Sequence, residues 1–372
     1  MKTLYQNARV ITDGTEKTAS VLTENGVIIA VGDLAGSTAD TVIDCTNRCL
    51  CPGFIDIHQH GGDGFEYIDG TPEAIERAIA IHKAHGTRLL FPTLSAMSFP
   101  VLAKALAALE EVKKTEPMIG GVHLEGPYFS PAMAGAQDPN AIHAPREEEY
   151  RPLFERFGHL IVRWSYAPEL DPDLSFLRFL NENGILPAIA HSAATLEELT
   201  PAFEEGNRLI THLYSCTSTI VREKSYRKLG IVEAAYLYDD MFAEAIADGK
   251  HLPLPLIKMI YKLKGPDRVC LVTDAIRPAG MDKPVDGISG ATPYIVEDGV
   301  AKLADRSAFA GSIATSDRLL ATAVRAGIPL ADAVRMLTET PAKVMRVPDM
   351  GRVAPGYRAL FTVLDEELHV IG

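Results

Sequence analysis

Five stretches of this chain place a metal-type or proton-moving side chain where an apolar run stops. "PGFIDIHQHGG" ends at His58 and His60, "GGVHLEGP" at Glu125, "ILPAIAHS" at His191, "LITHLYS" at His212 and "VCLVTDA" at Asp274. Neutral imidazole and carboxylate are good ligands for zinc and similar divalent ions. Alternate residues of a strand point the same way, so His58 and His60 can reach one ion together. A catalytic divalent ion keeps a position open for water and lowers the pKa of that water to about 7. Asp274 then has two possible jobs, ligand or the base and acid that moves a proton. Singly, each residue has an ordinary reading. A lone strand-end histidine is more often a hydrogen-bonded core residue, and Glu125 or Asp274 can cap the helix that follows. Six such residues at five run ends are hard to obtain by chance, and a metal centre is the expectation.

The elements that must gather them follow from the same runs. Apolar strands are read at 53–57, 87–91, 119–124, 161–166, 185–190, 208–211, 242–246 and 269–273, with helical segments such as "PEAIERAIAIHKAHG" and "PVLAKALAALEEVKK" between them. Eight strand–helix units in sequence predict an α/β fold, a (β/α)8 TIM-like barrel, in which catalytic residues sit at the C-terminal strand ends. A doubly wound sheet is the alternative, but it usually has fewer strands, and "HGGDG" is not its glycine fingerprint. The first fifty residues read as short strands separated by turn signals, and "ALFTVLDEELHVIG" at the other end resembles them. The expected organisation is a small flanking β-domain from both termini, 1–50 plus 345–372, around a barrel domain over 51–344. "YIVEDGVAKLA" reads as a late hairpin with a D-G turn.

Composition narrows the partners. The chain has 372 residues, is 47% hydrophobic and 23% charged, and carries a net charge of −13, which disfavours nucleic acid and anionic membranes. A small anionic substrate needs only a local basic pocket. No run of 18 apolar residues occurs, so no membrane span is expected. The N-terminus lacks the apolar segment of a signal peptide, and five cysteines are too few and odd in number for a disulfide framework. A reduced cytoplasm is the simplest expectation. Cys45, Cys49 and Cys51 suggest a zinc knuckle, but Cys49 and Cys51 bracket one residue of an extended run with no fourth ligand nearby. His82, His85, His159 and His369 are read as structural, and His143 as an uninformative loop residue. His123 shares a strand with Glu125 at i, i+2 and is placed behind the ligands.

The chain resembles the amidohydrolase superfamily and, within it, the N-acetylglucosamine-6-phosphate deacetylases. The motifs are "PGFIDIHQHGG", "HLEGPYFSP", "AHSAAT", "THLYS", "IADGKH", "LVTDAIRPAG" and "FAGS", in the family's order from Pro52 to Ser312. The resemblance implies metal-dependent hydrolysis of the N-acetyl group of N-acetylglucosamine-6-phosphate. It makes Glu125, His191 and His212 metal ligands, and Asp274 the group that passes a proton from water to the leaving amine. Members that keep the His58–His60 pair can hold two ions with Glu125 between them, so one or two ions per subunit are expected. Zinc is the first expectation, with iron, manganese and cobalt allowed.

For the substrate, the resemblance points to Arg222, donated by the neighbouring subunit of a homodimer, and to His251 as phosphate contacts. Arg222 lies about one residue nearer to His212 than in the family. The family's "HLYNAM" is "HLYSCT" here, so Ser215 and Cys216 replace an asparagine and an alanine, and Gln137 of "AGAQD" stands where the family has a histidine. Gln137 can hydrogen-bond but cannot carry a proton or positive charge. A different sugar epimer or another N-acyl amine is therefore a competing substrate. Cys216 is read as pocket wall, since no separate base accompanies it. A non-catalytic binding homologue should have lost ligands or Asp274, and none is missing.

Overall fold

The computed structural model describes residues 1–371. Eight parallel strands form one sheet in sequence order: Phe54–Gln59, Thr87–Leu94, Val122–Glu125, Ile161–Tyr166, Leu186–Ile189, Leu209–Ile210, Phe242–Ala245 and Val269–Leu271. The ladder does not close between the last and first strands themselves. Closure comes just beyond, where Asp274 N donates to His58 O (2.9 Å) and His60 N donates to Ala275 O (2.8 Å). The expected TIM-like barrel is therefore present, nearly closed, and its closing bonds lie among the candidate ligands.

Several strands are shorter than their apolar runs. The sixth covers two residues and the eighth three, because the backbone turns where its side chain must point into the mouth. His191, His212 and Asp274 all have left-handed φ, at 44°, 30° and 47°. Such conformations cost free energy outside glycine and persist where the surroundings hold them. The third strand starts at Val122 rather than 119. Gly120 lies against Phe91, where a Cβ would come within 2.6 Å of the ring.

Helices follow the strands on the outside, among them Pro72–Ala84, Phe99–Lys113 and Leu196–Glu204. Thr71 caps the first by accepting from Ala74 N, and Thr195 with Glu198 forms a reciprocal capping box on Leu196–Glu204. Ile55, Ile57, Leu89, Phe91, Ala188, Leu209, Ile246 and Val272 share one buried apolar cluster, alternating with the residues that pack against the helices. Val344 and Met350, from the end of the chain, join the same cluster.

Both termini enter a second, mixed sheet. Its order is Phe361–Leu364, Cys49–Pro52, Lys2–Thr12, Thr15–Glu24 and Val27–Gly32, with Thr41–Asp44 also paired to Lys2–Thr12. Cys51 lies within it and its thiol donates to Thr362 O (3.2 Å). The late hairpin is real: Thr292–Glu297 pairs with Val300–Leu303 across Asp298-Gly299, both with positive φ as a tight hairpin turn needs. It belongs to a four-stranded insertion, Gly287–Gly311, between the eighth strand and the helix Ser316–Arg325. Among the described residues no helix is long and apolar enough to cross a membrane.

Candidate metal centre

The barrel brings all six strand-end residues together. His58 Nε2 and His60 Nε2 lie 3.3 Å apart, and His191 Nε2 and His212 Nε2 3.2 Å apart. Glu125 sits between the pairs. Its Oε1 is 2.9 Å from His212 Nε2, 3.3 Å from His191 Nε2 and 3.5 Å from His58 Nε2, and its Oε2 is 3.3 Å from His60 Nε2. Two groups of three therefore share one carboxylate: His58, His60 and Glu125, and Glu125, His191 and His212. Asp274 Oδ1 is 3.4 Å from His58 Nε2 and 3.2 Å from His60 Nε2. Its side chain is 13% exposed, the most open of the six, against 0–7% for the others.

Three of these rings are engaged from behind through Nδ1, whereas the buried Nδ1 of His212 has no partner among the described residues. His58 Nδ1 donates to Glu244 Oε2 (3.0 Å) and His191 Nδ1 to Met133 O (2.8 Å). His60 Nδ1 meets Ser95 Oγ at 3.0 Å. An Nδ1–H so engaged leaves the Nε2 lone pair facing inward, the arrangement of a metal-ligating histidine. Facing lone pairs and two carboxylates in a buried space call for a cation. Burial opposes charge on His58, yet Asp274, Glu125 and Glu244 push it up to about 10. His60, also opposed by burial, is raised to about 9 by Asp274 and Glu125. The donor set therefore fits a divalent ion.

One part of this support went unseen in the sequence. Arg163 and Glu244 are fully buried at the barrel centre and ion-paired. Arg163 also donates to Ile57 O (3.1 Å) and Thr211 Oγ1 (2.8 Å), while Glu244 Oε2 accepts from His58 Nδ1 and from His212 N (3.2 Å). Burial alone would raise Glu244, but Arg163 and His58 hold it at about 2. Charges inside "LIVRWSY" and "MFAEAIA" were the available signal. His123 lies behind the ligands, its ring edge-on to His58 at 5.0 Å, held by Thr93 Oγ1 (3.1 Å) and Ser165 Oγ (2.7 Å). Arg163→Met is expected to destabilise the protein by about 3–5 kcal/mol, because Glu244 stays buried without its countercharge. Chemical denaturation with an unchanged midpoint and slope would contradict this.

A cavity of about 580 Å³ opens over Glu125, His60, His191, His212 and Asp274. Gln137, Ser215, Cys216 and His251 line it. Gln137 Oε1 accepts from Ala96 N (2.9 Å) and its Nε2 donates to Glu125 Oε2 (2.9 Å). His251 is anchored to Asp248 Oδ2 through Nδ1 (2.8 Å) and lies 4.7 Å from the Phe309 ring. Arg222 does not line the cavity of its own chain. It is exposed on the hairpin Val221–Glu223/Tyr226–Lys228, opposite Arg227. Lys302 and Arg306 of the insertion do line it, and sequence reasoning missed them. Both are tied to Glu297, at 3.0 and 3.1 Å.

Residues 49–370 match the amidohydrolase family. The N-acetylglucosamine-6-phosphate deacetylase of Lysinibacillus sphaericus is 29% identical over 370 residues, covering 98% of this chain and 94% of that protein. The N-acetylgalactosamine-6-phosphate deacetylase of Shewanella sp. is 30% identical over 384 residues, covering 99% and 93%. Among solved structures, a mutant N-acetyl-D-glucosamine-6-phosphate deacetylase from Mycobacterium smegmatis, in complex with N-acetyl-D-glucosamine-6-phosphate, superposes with a TM-score of 0.90 at 30% identity, over 100% of this chain and 96% of that one. These likenesses span the barrel, the flanking sheet and the strand-end cluster together, and the chain belongs to the amidohydrolase family, in its N-acetylhexosamine-6-phosphate deacetylase group.

Proposed function

We propose that this protein hydrolyses the N-acetyl group of N-acetylglucosamine-6-phosphate, giving acetate and glucosamine-6-phosphate. The observation that carries the reading is the convergence of two ligand groups on Glu125, with Asp274 as the open carboxylate at the cavity floor. His58, His60, Glu125, His191 and His212 would hold one or two divalent ions, zinc first among them. When bound, such an ion polarises the amide carbonyl and makes hydroxide available at neutral pH. An amide nitrogen leaves only once protonated, and Asp274 is placed to take the proton from water and return it to that nitrogen. Ser215, Cys216 and His251 form the wall against which the sugar would lie, with Gln137 between wall and floor.

A second reading has a specific basis. The relative named for the galactosamine epimer matches as well as the one named for the glucosamine epimer, and the resemblance read from the sequence implies a changed wall at Gln137, Ser215 and Cys216. Amine release from both N-acetylhexosamine-6-phosphates, and from both sugars without phosphate, separates the readings. The expected result is efficient turnover of N-acetylglucosamine-6-phosphate and little of either unphosphorylated sugar. A preference for the galacto epimer would move the assignment to that substrate. Silence on all four, with ions bound, would keep a hydrolase of another N-acyl amine.

Arg222 reaches the phosphate in this reading from the neighbouring subunit of a homodimer. Arg222→Ala is then expected to raise KM for the phosphorylated sugar about tenfold or more, the loss of one charge-assisted hydrogen bond. Unchanged KM would remove Arg222 from the phosphate site.

A further inference from the structure

The segment after the third strand grips the ligand set at several points. Ser130 N donates to His191 O (3.0 Å), and Met133 O accepts from His191 Nδ1 (2.8 Å). Gly135 is pressed so close to Cys216 that a Cβ there would sit 2.4 Å from its Sγ. Ala136 O accepts from Thr292 Oγ1 (2.7 Å), which ties the segment to the insertion. Gln137 follows, and the orientation of its amide is not arbitrary. Ala96 N can only donate, so the amide oxygen must face it, and the amide nitrogen must face Glu125 Oε2. That oxygen is the one nearest His60. The other, Oε1, faces His58, His191 and His212.

We propose that Gln137 is a positioning residue: its Nε2–H turns Glu125 Oε2 towards His60 and so sets how tightly the His58–His60–Glu125 group holds a divalent ion. The inference rests on the metal reading above and goes beyond it, because it assigns the side chain at 137 to the metal centre rather than to the sugar. With one N–H and one lone pair committed to protein, half of the hydrogen-bonding capacity of the amide is spent before any ligand arrives. Its partner Ala96 N lies just beyond the second strand, Thr87–Leu94, so the Glu125 carboxylate is referenced to the barrel wall through two bonds of 2.9 Å.

The test compares wild type with Gln137→Met, which keeps the length of the side chain and removes both bonds. Protein stripped by chelator is titrated with zinc against a chromophoric chelator, and with cobalt followed by its visible absorption. His58→Ala supplies the isotherm of the Glu125–His191–His212 group alone. The expected result for Gln137→Met is about 10–100-fold weaker binding at the His58–His60–Glu125 group, the usual effect of losing a partner behind a ligand. The cobalt spectrum of that ion should change, kcat should fall, and KM for the sugar phosphate should stay. Gln137→Ser removes the same bonds without an apolar end and should behave alike. Far-UV circular dichroism of the stripped proteins guards against misfolding. Wild-type affinities in both variants, with KM raised instead, would overturn the proposal and make Gln137 a substrate contact. Wild-type protein that takes up no ion at either group would sink the metal reading itself, and this inference with it.

Discussion

Asp274→Asn is expected to leave the bound ions in place and lower kcat by about 10²–10⁴-fold, the range of a lost general acid–base group. The isosteric change keeps the backbone bonds of this residue, Asp274 N to His58 O, which helps close the barrel, and Ser312 N to Asp274 O, at 2.9 Å each. It also suits the left-handed φ of 47°, which asparagine tolerates better than most side chains. What it removes is a carboxylate that can accept a proton from water and return it to the amide nitrogen. The five other donors form two complete groups of three without it, so ion content should not fall. Elemental analysis beside steady-state kinetics checks both halves. Wild-type rates would refute the proton role. Loss of an ion would make Asp274 a ligand first.

The barrel and the convergence of the strand-end residues were legible because strands buried on both faces read as apolar runs, against which a terminal polar residue stands out. "FIDIHQH" and "VCLVTDA" carry this contrast within a few residues. The ends of the strands were less legible. At "LITHLYS" the ladder stops at Ile210, because His212 must leave extended geometry to aim its ring at Glu125. That is a demand of the site and not of the local sequence.

Pairings across the barrel were out of reach for a different reason. Arg163 and Glu244 each announce themselves as a charge in a buried run, but 81 residues separate them and nothing local says that they meet. Without that pairing, nothing identifies Glu244 as the carboxylate that fixes the His58 proton. Lys302 was read as part of a hairpin, which it is, and Arg306 lies just past that hairpin; only the placement of the insertion over the mouth brings both to the cavity. Gln137 stood out by its departure from a family pattern. Its bond to Glu125 is a tertiary fact, invisible until the loop and the strand end are seen together.

His191→Ala is expected to lose the ion of the Glu125–His191–His212 group and to cut turnover by on the order of 10³-fold or more. Catalytic zinc sites keep three protein ligands, and this change leaves two. The ion's polarising contribution is several kcal/mol, and about 1.4 kcal/mol corresponds to each factor of ten in rate. The ring does other work as well, since Nδ1 holds Met133 O and the ring packs 4.5 Å from Phe129. A comparison with His58→Ala separates ligand loss from loosened packing. His58→Ala should spare the His191 group and lose the other ion, so the two variants are complementary in metal content although both are buried histidines at strand ends of one barrel. If both variants keep the full wild-type complement of ions, the strand-end cluster is not the metal site. If both lose everything, the two groups are not independent, and Glu125, the carboxylate they share, is the element through which one ion depends on the other.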